Sequence, residues 1–302
     1  MPALDARAVR LIRQHAHTSR LLGVDFVPLG NGFEFVPGEP AHPEPEPAPA
    51  STGGPSEPCA QVETKPAKAP PGKTQPRPGA YTPIALPDKK PSQQAAQALL
   101  DEIRDRYEAD APHQHFETDH HSIVFGEGDP CARLMFVGEA PGEQEDREGR
   151  PFVGRSGVLL EKMIVAMGLS RESVYICNVL KTRPPNNQTP TVEEAALCAP
   201  YLFDQIRVVR PEVIVTLGLP ASRLLLGTSE PMRSMRGSFR EFPSGSGTGI
   251  FGGFELAWTG DPIPVMPTYH PAYLLRSYTP ENRKKVWSDL QKVMDRLGSG
   301  VS

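Results

Sequence analysis

Short apolar runs alternate with segments of helical spacing along the chain from residue 92 onward. The apolar runs predict strands at 134–138, 174–179, 213–218 and 264–270. Apolar positions three and four residues apart predict helices at 92–108, 156–167, 191–208, 219–226 and 280–297. Strands that are apolar throughout and alternate with helices are typical of a mostly parallel sheet covered by helices on both faces. Residues 235–260 instead indicate an irregular hairpin with a tip rich in Gly and Ser.

The first 91 residues follow a different pattern. Residues 4–24 have apolar positions at helical spacing, so 1–36 is predicted to be a segment with one short amphipathic helix. Sixteen of the 35 prolines then fall between Pro37 and Pro91. Because proline fixes φ and has no N–H to donate, 37–91 is predicted to be a disordered linker. The folded domain is therefore expected over 92–302.

Composition and charge exclude several classes of protein. The formal net charge is −4, so any contact with nucleic acid must come from a local basic surface. No apolar run approaches the roughly 18 residues of a membrane span, and the N-terminus lacks the apolar run of a secretory signal. The four cysteines form no CxxC pair, which favours free thiols and a cytoplasmic location.

Unusual residues follow three of the predicted strands. The sequence GEAPG follows the first, Asn178 and KTRPPNN follow the second, and His270-Pro271 follows the last. Because ligands bind outside the carboxyl ends of strands in an open parallel sheet, these segments are expected to form one crevice. GEAPG matches neither GxGxxG nor GxxxxGK[ST], which argues against a dinucleotide or a nucleoside triphosphate.

The residue types in this crevice suit a flat heterocycle. Gly138 and Gly142 allow the backbone to approach a ligand closely. The amide of Asn178 offers a donor and an acceptor, which match the N–H and carbonyl oxygen on the edge of a pyrimidine. Phe152 can stack on a base, and His270 can hydrogen-bond an oxygen that gains negative charge.

Three segments carry a resemblance to a known family: GEAPGEQEDREGRPFVGRSG, NVLKTRPPNNQTPTVEEAALCAPYL and PTYHPAYLLR. They resemble the signature regions of the family 4 uracil-DNA glycosylases, and the likeness extends over 123–297. It implies a three-layer α/β/α sandwich around a four-stranded, mostly parallel sheet. It also implies an enzyme that flips uracil out of DNA and hydrolyses its N-glycosidic bond, leaving an abasic site. The alternatives are a catalytically weak DNA- or nucleobase-binding protein of the same fold and a glycosylase for another deaminated base.

The resemblance implies roles for individual residues. Uracil is expected to contact Glu139, Ala140, Pro141, Phe152, Asn178 and His270. The expected catalytic residues are Glu145, Asn187 and His270. Because better-known uracil glycosylases have aspartate where this chain has Ala140, the attacking water is expected to depend on Glu145, Asn187 or the pocket's electrostatics. DNA is expected to contact Arg155, Lys181, Arg183, Tyr273, Leu274, Leu275 and Arg276, with Arg236 and 283–285 as further candidates for phosphate contacts.

The sequence departs from the family at the ligands of its [4Fe–4S] cluster. The resemblance places two of the four ligand positions roughly at Pro112 and His115 and the others at Thr182 and Cys198, so that a single cysteine remains. A cubane cluster needs four thiolates or close substitutes. No cofactor and no metal ligands are therefore expected. The alternatives are the family's cluster and another metal held by the histidine group His113, His115, His120 and His121.

Partners follow from the same resemblance. The expected partner is uracil-containing DNA, single- or double-stranded. No contact with a membrane is expected. The N-terminal segment is a candidate tether to a repair or replication protein, and the chain is expected to be a monomer.

Overall fold

The structure is a computed structural model that describes residues 82–87, 89–243 and 261–298. The predicted N-terminal helix, most of the predicted linker and the tip of the predicted hairpin lie outside the described residues. The described elements belong to the domain that the sequence predicts from residue 92.

The sheet of this domain has six strands in the order β1-β3-β2-β4-β6-β5. Their bounds are β1 Glu127–Gly128, β2 Leu134–Gly138, β3 Tyr175–Asn178, β4 Val213–Leu217, β5 Arg240–Phe242 and β6 Ile263–Thr268. The four central strands run parallel, whereas β1 and β5 are antiparallel edge strands. The predicted α/β class is confirmed. The predicted count of four strands is corrected to six in the described chain, because two or three residues are too few for a strand pattern.

Helices lie between the parallel strands along the chain, as the alternating pattern predicted, and also before the first strand and after the last. They are α1 Gln93–Asp110, α2 Glu143–Glu148, α3 Arg155–Ala166, α4 Val192–Val209, α5 Leu219–Leu226, α6 Met232–Met235, α7 Pro271–Arg276 and α8 Pro280–Gly298. The five predicted helices in this domain are confirmed within two residues at either end. The short helices α2, α6 and α7 were not predicted, because four to six residues show no helical periodicity.

Two of the long helices begin at side-chain caps. The Ser92 hydroxyl accepts a hydrogen bond from the amide of Ala95 at 3.3 Å before α1. Before α4, Thr191 and Glu194 form a reciprocal capping box with N–H to oxygen distances of 3.2 and 2.8 Å. Such caps satisfy amide groups that have no partner inside the helix.

The sheet separates two apolar cores. On one face Met135 and Val137 of β2 pack in the core that includes side chains of α1, α4 and α5. On the other face Leu134 and Phe136 of the same strand pack with α3 and α8. Successive side chains of a strand point to opposite faces, so an entirely apolar strand needs a helical layer on each side. The predicted three-layer sandwich is confirmed, and no helix in the described ranges is long and apolar enough to span a membrane.

Candidate active site

The carboxyl ends of the four parallel strands meet at one edge of the sheet. Gly138 and Asn178 are direct neighbours at the ends of β2 and β3. The amide of Gly218, after β4, donates to the carbonyl of Thr268 at the end of β6, at 2.9 Å. A cavity of about 910 Å³ opens at this edge. Its wall includes all six residues predicted to contact uracil: Glu139, Ala140, Pro141, Phe152, Asn178 and His270.

Asn178 presents its side-chain amide in the wall of this cavity. The residue is 1% exposed, and among the described residues its Oδ1 has no hydrogen-bond partner. A buried acceptor without a partner is costly, so this oxygen is available for a ligand's donor. A Cβ atom at Gly138 would lie 2.3 Å from Asn178 Oδ1 and 2.5 Å from Phe152 Cζ. Only glycine therefore leaves room for these two side chains.

Phe152 has an unusual backbone conformation with φ of 52°. The position is fixed from two sides. Arg171 Nη1 donates to the Phe152 carbonyl at 3.1 Å, and Gly157 lies so close that an added Cβ would be 1.8 Å from that oxygen. A positive φ is unfavourable in free energy for a residue other than glycine. It occurs where the surrounding structure enforces it. The ring is 5% exposed and lines the cavity.

His270 caps the short helix α7. Its Nδ1 accepts a hydrogen bond from the amide of Ala272 at 3.0 Å, so in the neutral ring the proton lies on Nε2. Burial, with a smaller effect of the Arg276 charge, lowers the pKa of His270 to about 4. At neutral pH the side chain is therefore an uncharged N–H donor. Gly218, with φ of 95°, packs against it and would place a Cβ 3.1 Å from the His270 Cβ.

Glu145 lines the cavity but is already engaged. Its Oε1 accepts from the amides of Val153 and Gly154 at 3.0 and 2.8 Å. These two amides directly follow Phe152, so the carboxylate holds the loop that carries this ring. The predicted part of Glu145 in activating water stays a prediction.

Two further polar residues lie in the cavity wall. Asn187 has φ of 53°, and its Oδ1 accepts from Arg183 Nε at 2.8 Å. Burial raises the pKa of Glu139, although a hydrogen bond with Thr189 and the charge of Arg276 act in the opposite direction. Asn187 keeps its amide N–H groups for a water or a ligand.

Five of the residues predicted to contact DNA are exposed or half-buried. Arg155, Tyr273 and Arg276 are exposed and line the cavity, and Leu275 is 37% exposed beside them in α7. Arg183 is half-buried and holds Asn187 through its Nε.

Three of the residues predicted to contact DNA are corrected by the structure. Leu274 is 1% exposed and packs in the core with α3 and α8, so it cannot enter a base stack. Arg236 is held by two hydrogen bonds to the buried carboxylate of Asp289, at 2.7 and 3.1 Å. Lys181 is fully buried, so it cannot reach a phosphate.

Lys181 instead supports the end of β3. Its Nζ donates to the carbonyl of Asn178 at 2.7 Å and to Gln205 Oε1 at 2.5 Å. The Gln205 amide in turn donates to the carbonyl of Phe125 and to the Tyr175 hydroxyl, at 3.0 and 3.2 Å. Burial lowers the pKa of Lys181. The side chain therefore links the residue that faces the cavity to helix α4.

Some cavity residues were missed. Gly218 could have been found, because it follows a predicted strand whose end meets the same edge of the sheet. Pro231, Met232 and Arg233 also line the cavity, from and next to the short helix α6. No motif or periodicity in the sequence marks these three residues.

The residues at the family's cluster positions do not fit a four-thiolate site. Cys198 is buried, and its thiol lies 3.8 Å from the Tyr107 hydroxyl. That hydroxyl also contacts Thr182, the residue at the third ligand position. The Tyr107 ring stacks on His113 at 5.6 Å between centroids. Within the described part of the chain, no three His, Cys, Asp or Glu side chains are grouped as metal ligands would be.

This arrangement defines an α/β protein with a cavity at the carboxyl edge of its sheet, lined by an aromatic ring, an amide and an imidazole. Comparison with protein families identifies the class. The sequence model described as "Uracil DNA glycosylase superfamily" matches residues 125–291, more than half of the chain. The chain therefore belongs to the uracil-DNA glycosylase superfamily.

Proteins of type 4 are among the similar members of the superfamily, as the sequence motifs predicted. A protein of Thermotoga maritima named type-4 uracil-DNA glycosylase is 44% identical over 172 residues, which cover 57% of this chain and 81% of the relative. A type-4 uracil-DNA glycosylase of Saccharolobus solfataricus is 42% identical over 185 residues, 59% of this chain and 77% of the relative. A type-5 uracil-DNA glycosylase of Pyrobaculum aerophilum is 37% identical over 114 residues, 33% of this chain and 50% of the relative.

Proposed function

We propose that the protein removes uracil from DNA by hydrolysing its N-glycosidic bond and leaves an abasic site. The observation that carries this proposal is that Phe152, Asn178 and His270, far apart in sequence, line one cavity. The names of the type-4 relatives support the same substrate.

Recognition of the base rests on three groups. The Asn178 amide reads the edge of uracil, with its unpaired Oδ1 accepting from the ring N–H. The Phe152 ring stacks on the face of the base. The backbone around Glu139, Ala140 and Pro141 closes the pocket. Extrusion of the base from a duplex costs a few kcal/mol, and least when uracil is mispaired or unpaired.

The chemical step transfers electrons from the glycosidic bond into the departing base. Negative charge develops on a uracil carbonyl oxygen, and the Nε2–H of neutral His270 donates a hydrogen bond to it. A donor fixed in advance in this way typically contributes about 3–4 kcal/mol to lowering the barrier. Water then adds to the sugar cation and releases a proton, which completes the hydrolysis.

The attacking water has no aspartate at position 140 to orient it, because this chain has Ala140. Glu145 is engaged by two backbone amides, so we assign it to holding the Phe152 loop. Asn187 is the side chain assigned to positioning the water, through the N–H groups that Arg183 leaves free.

An excision assay tests the proposal. The protein is incubated with oligonucleotides that contain uracil, hypoxanthine or no modified base, in single- and double-stranded form, and the released base is identified. Release of uracil is expected. Binding of DNA without release of any base would instead favour the weak-binding alternative, and release of hypoxanthine in preference to uracil would favour a different deaminated base.

The protein acts without an iron–sulfur cluster in this proposal. The support is that Tyr107 contacts both Cys198 and Thr182, so that packing replaces ligation at these two positions. Protein purified without oxygen should contain no stoichiometric iron and show no visible absorption. A stoichiometric cluster would overturn this part of the proposal and leave the assignment of the uracil site standing.

Three expectations stay predictions. These are the cytoplasmic location, the monomeric state, and recruitment of a repair or replication protein by the N-terminal segment.

A further inference from the structure

The cavity extends well beyond the groups that would hold a base. Its volume of about 910 Å³ is near the upper end of the roughly 300–1,000 Å³ found for pockets that enclose drug-sized ligands. A single pyrimidine fills only part of it. The remainder is bounded in part by Pro231, Met232 and Arg233.

The segment that carries Arg233 is held firmly by two other arginines. Arg223 donates to the carbonyls of Ser229 and Glu230, at 2.8 and 3.2 Å. Arg240 donates to the carbonyl of Ser234 at 3.2 Å. These bonds fix the backbone on both sides of Arg233.

The buried side chain of Met235 anchors the same segment. It is 0% exposed and belongs to the core that α1, α4 and α5 share. A four-residue helix such as α6 has little stability of its own, so these tertiary contacts determine its position. Arg233 therefore projects from a support that is in place before any ligand binds.

The Arg233 side chain has no such structural task. It is exposed, and among the described residues it forms no ion pair or hydrogen bond. Arg236, three residues further on, is by contrast fixed on Asp289 and on the carbonyl of Lys285. The sequence predicted Arg236 as a phosphate ligand, whereas the structure leaves Arg233 available for that task.

We infer that Arg233 binds a backbone phosphate of DNA next to the extruded nucleotide. The inference rests on the proposed function, because it requires a DNA strand at the cavity mouth. An arginine guanidinium matches a phosphate in charge and in geometry. With a net charge of −4 the protein as a whole repels DNA, so individual contacts of this kind must provide the attraction.

Equilibrium binding as a function of salt tests the inference. The probe is a fluorescent duplex that contains a tetrahydrofuran abasic-site analogue, which cannot be turned over. Each phosphate contact contributes about −0.9 to the slope of log K against log salt concentration. Arg233→Gln should make the slope about 0.9 less steep, and Arg233→Lys should retain most of it. The control Arg104→Gln removes the same charge from the exposed face of α1 and should leave the slope unchanged.

Two results would overturn the inference: a slope for Arg233→Gln equal to that of the wild type, or an equal reduction in Arg104→Gln. Thermal melts show whether all variants are folded. Failure of the proposed function would give a different result. The wild type would then bind the duplex with a slope that depends on Arg233 but would release no uracil from a uracil-containing strand.

Discussion

The rings of Phe152 and His270 lie 5.6 Å apart between centroids, with 33° between their planes. The two residues come from different parts of the sheet edge, one before α3 and the other at the start of α7. Gly157 packs against the backbone of Phe152, and Gly218 packs against the side chain of His270. A Cβ atom at either glycine would come too close to its neighbour. The stacking surface and the hydrogen-bond donor are thus fixed relative to each other before a base enters, as catalysis by preorganised groups requires.

Gly138 should be intolerant of any side chain. In Gly138→Ala the new methyl group would meet Asn178 Oδ1 and the Phe152 ring. We expect a loss of stability of about 1–3 kcal/mol from overpacking, together with loss of uracil release. Denaturant unfolding and an excision assay measure the two effects. Gly298→Ala is the matched control, since nothing lies within 4 Å of its added Cβ, and an active Gly138→Ala enzyme would contradict this description of the pocket.

The low pKa of His270 should appear in the pH dependence of stability. Its native pKa of about 4 lies below the ordinary value. Between about pH 6.5 and 4 the unfolded chain therefore binds a proton that the native protein does not, so stability falls as the pH falls. Over this window the free energy of unfolding should fall by up to about 3 kcal/mol more in the wild type than in His270→Gln. Denaturant unfolding at each pH measures this free energy. Parallel curves for the two proteins would refute the lowered pKa of His270.

Two substitutions of Glu145 separate a positioning role from a role as general base. Glu145→Gln keeps an oxygen for the amides of Val153 and Gly154, so its excision rate should stay within about tenfold of the wild type. Glu145→Ala leaves both amides without this acceptor and should lower the excision rate about a hundredfold. The single-turnover rate is the measurement. Equal losses in both variants would show that the charge itself acts in catalysis.

Lys181 should affect uracil binding from inside the protein. In Lys181→Met the carbonyl of Asn178 and Gln205 Oε1 lose their donor, at a cost of about 1–3 kcal/mol for each unsatisfied acceptor. We expect lower stability and weaker inhibition by free uracil, because the end of β3 shifts. Lys162→Met, on the exposed face of α3, is the control. If inhibition by uracil is the same in both variants, Lys181 has only a structural role.

The central part of the fold could be predicted from the sequence because its signals are long and consistent. Each parallel strand is an apolar run, and the long helices have clear spacing, two of them with side-chain caps. Once the strands are placed, the rule that ligands bind at their carboxyl ends brings Asn178 and His270 together without further information. The edge strands β1 and β5 are too short to leave such a signal.

Contacts between distant segments explain what the sequence could not show. Lys181 belongs to KTRPP, a segment with the composition of a basic loop. It is buried because it packs against α4, where its Nζ donates to Gln205. Arg233 and Arg236 look alike in sequence, but only Arg236 lies within reach of Asp289 and of the Lys285 carbonyl in α8. The relation of Tyr107 to Cys198 likewise depends on how α1 packs against α4.

In the proposed enzyme, the ends of separate strands hold one extruded uracil and stabilise the charge it takes away. Single-turnover release of uracil from a uracil-containing oligonucleotide by the wild type, Asn178→Ala and His270→Ala is the decisive measurement. We expect His270→Ala to be about 10²–10³-fold slower, and Asn178→Ala to lose both rate and inhibition by free uracil. Wild-type rates in both variants would refute the proposed site.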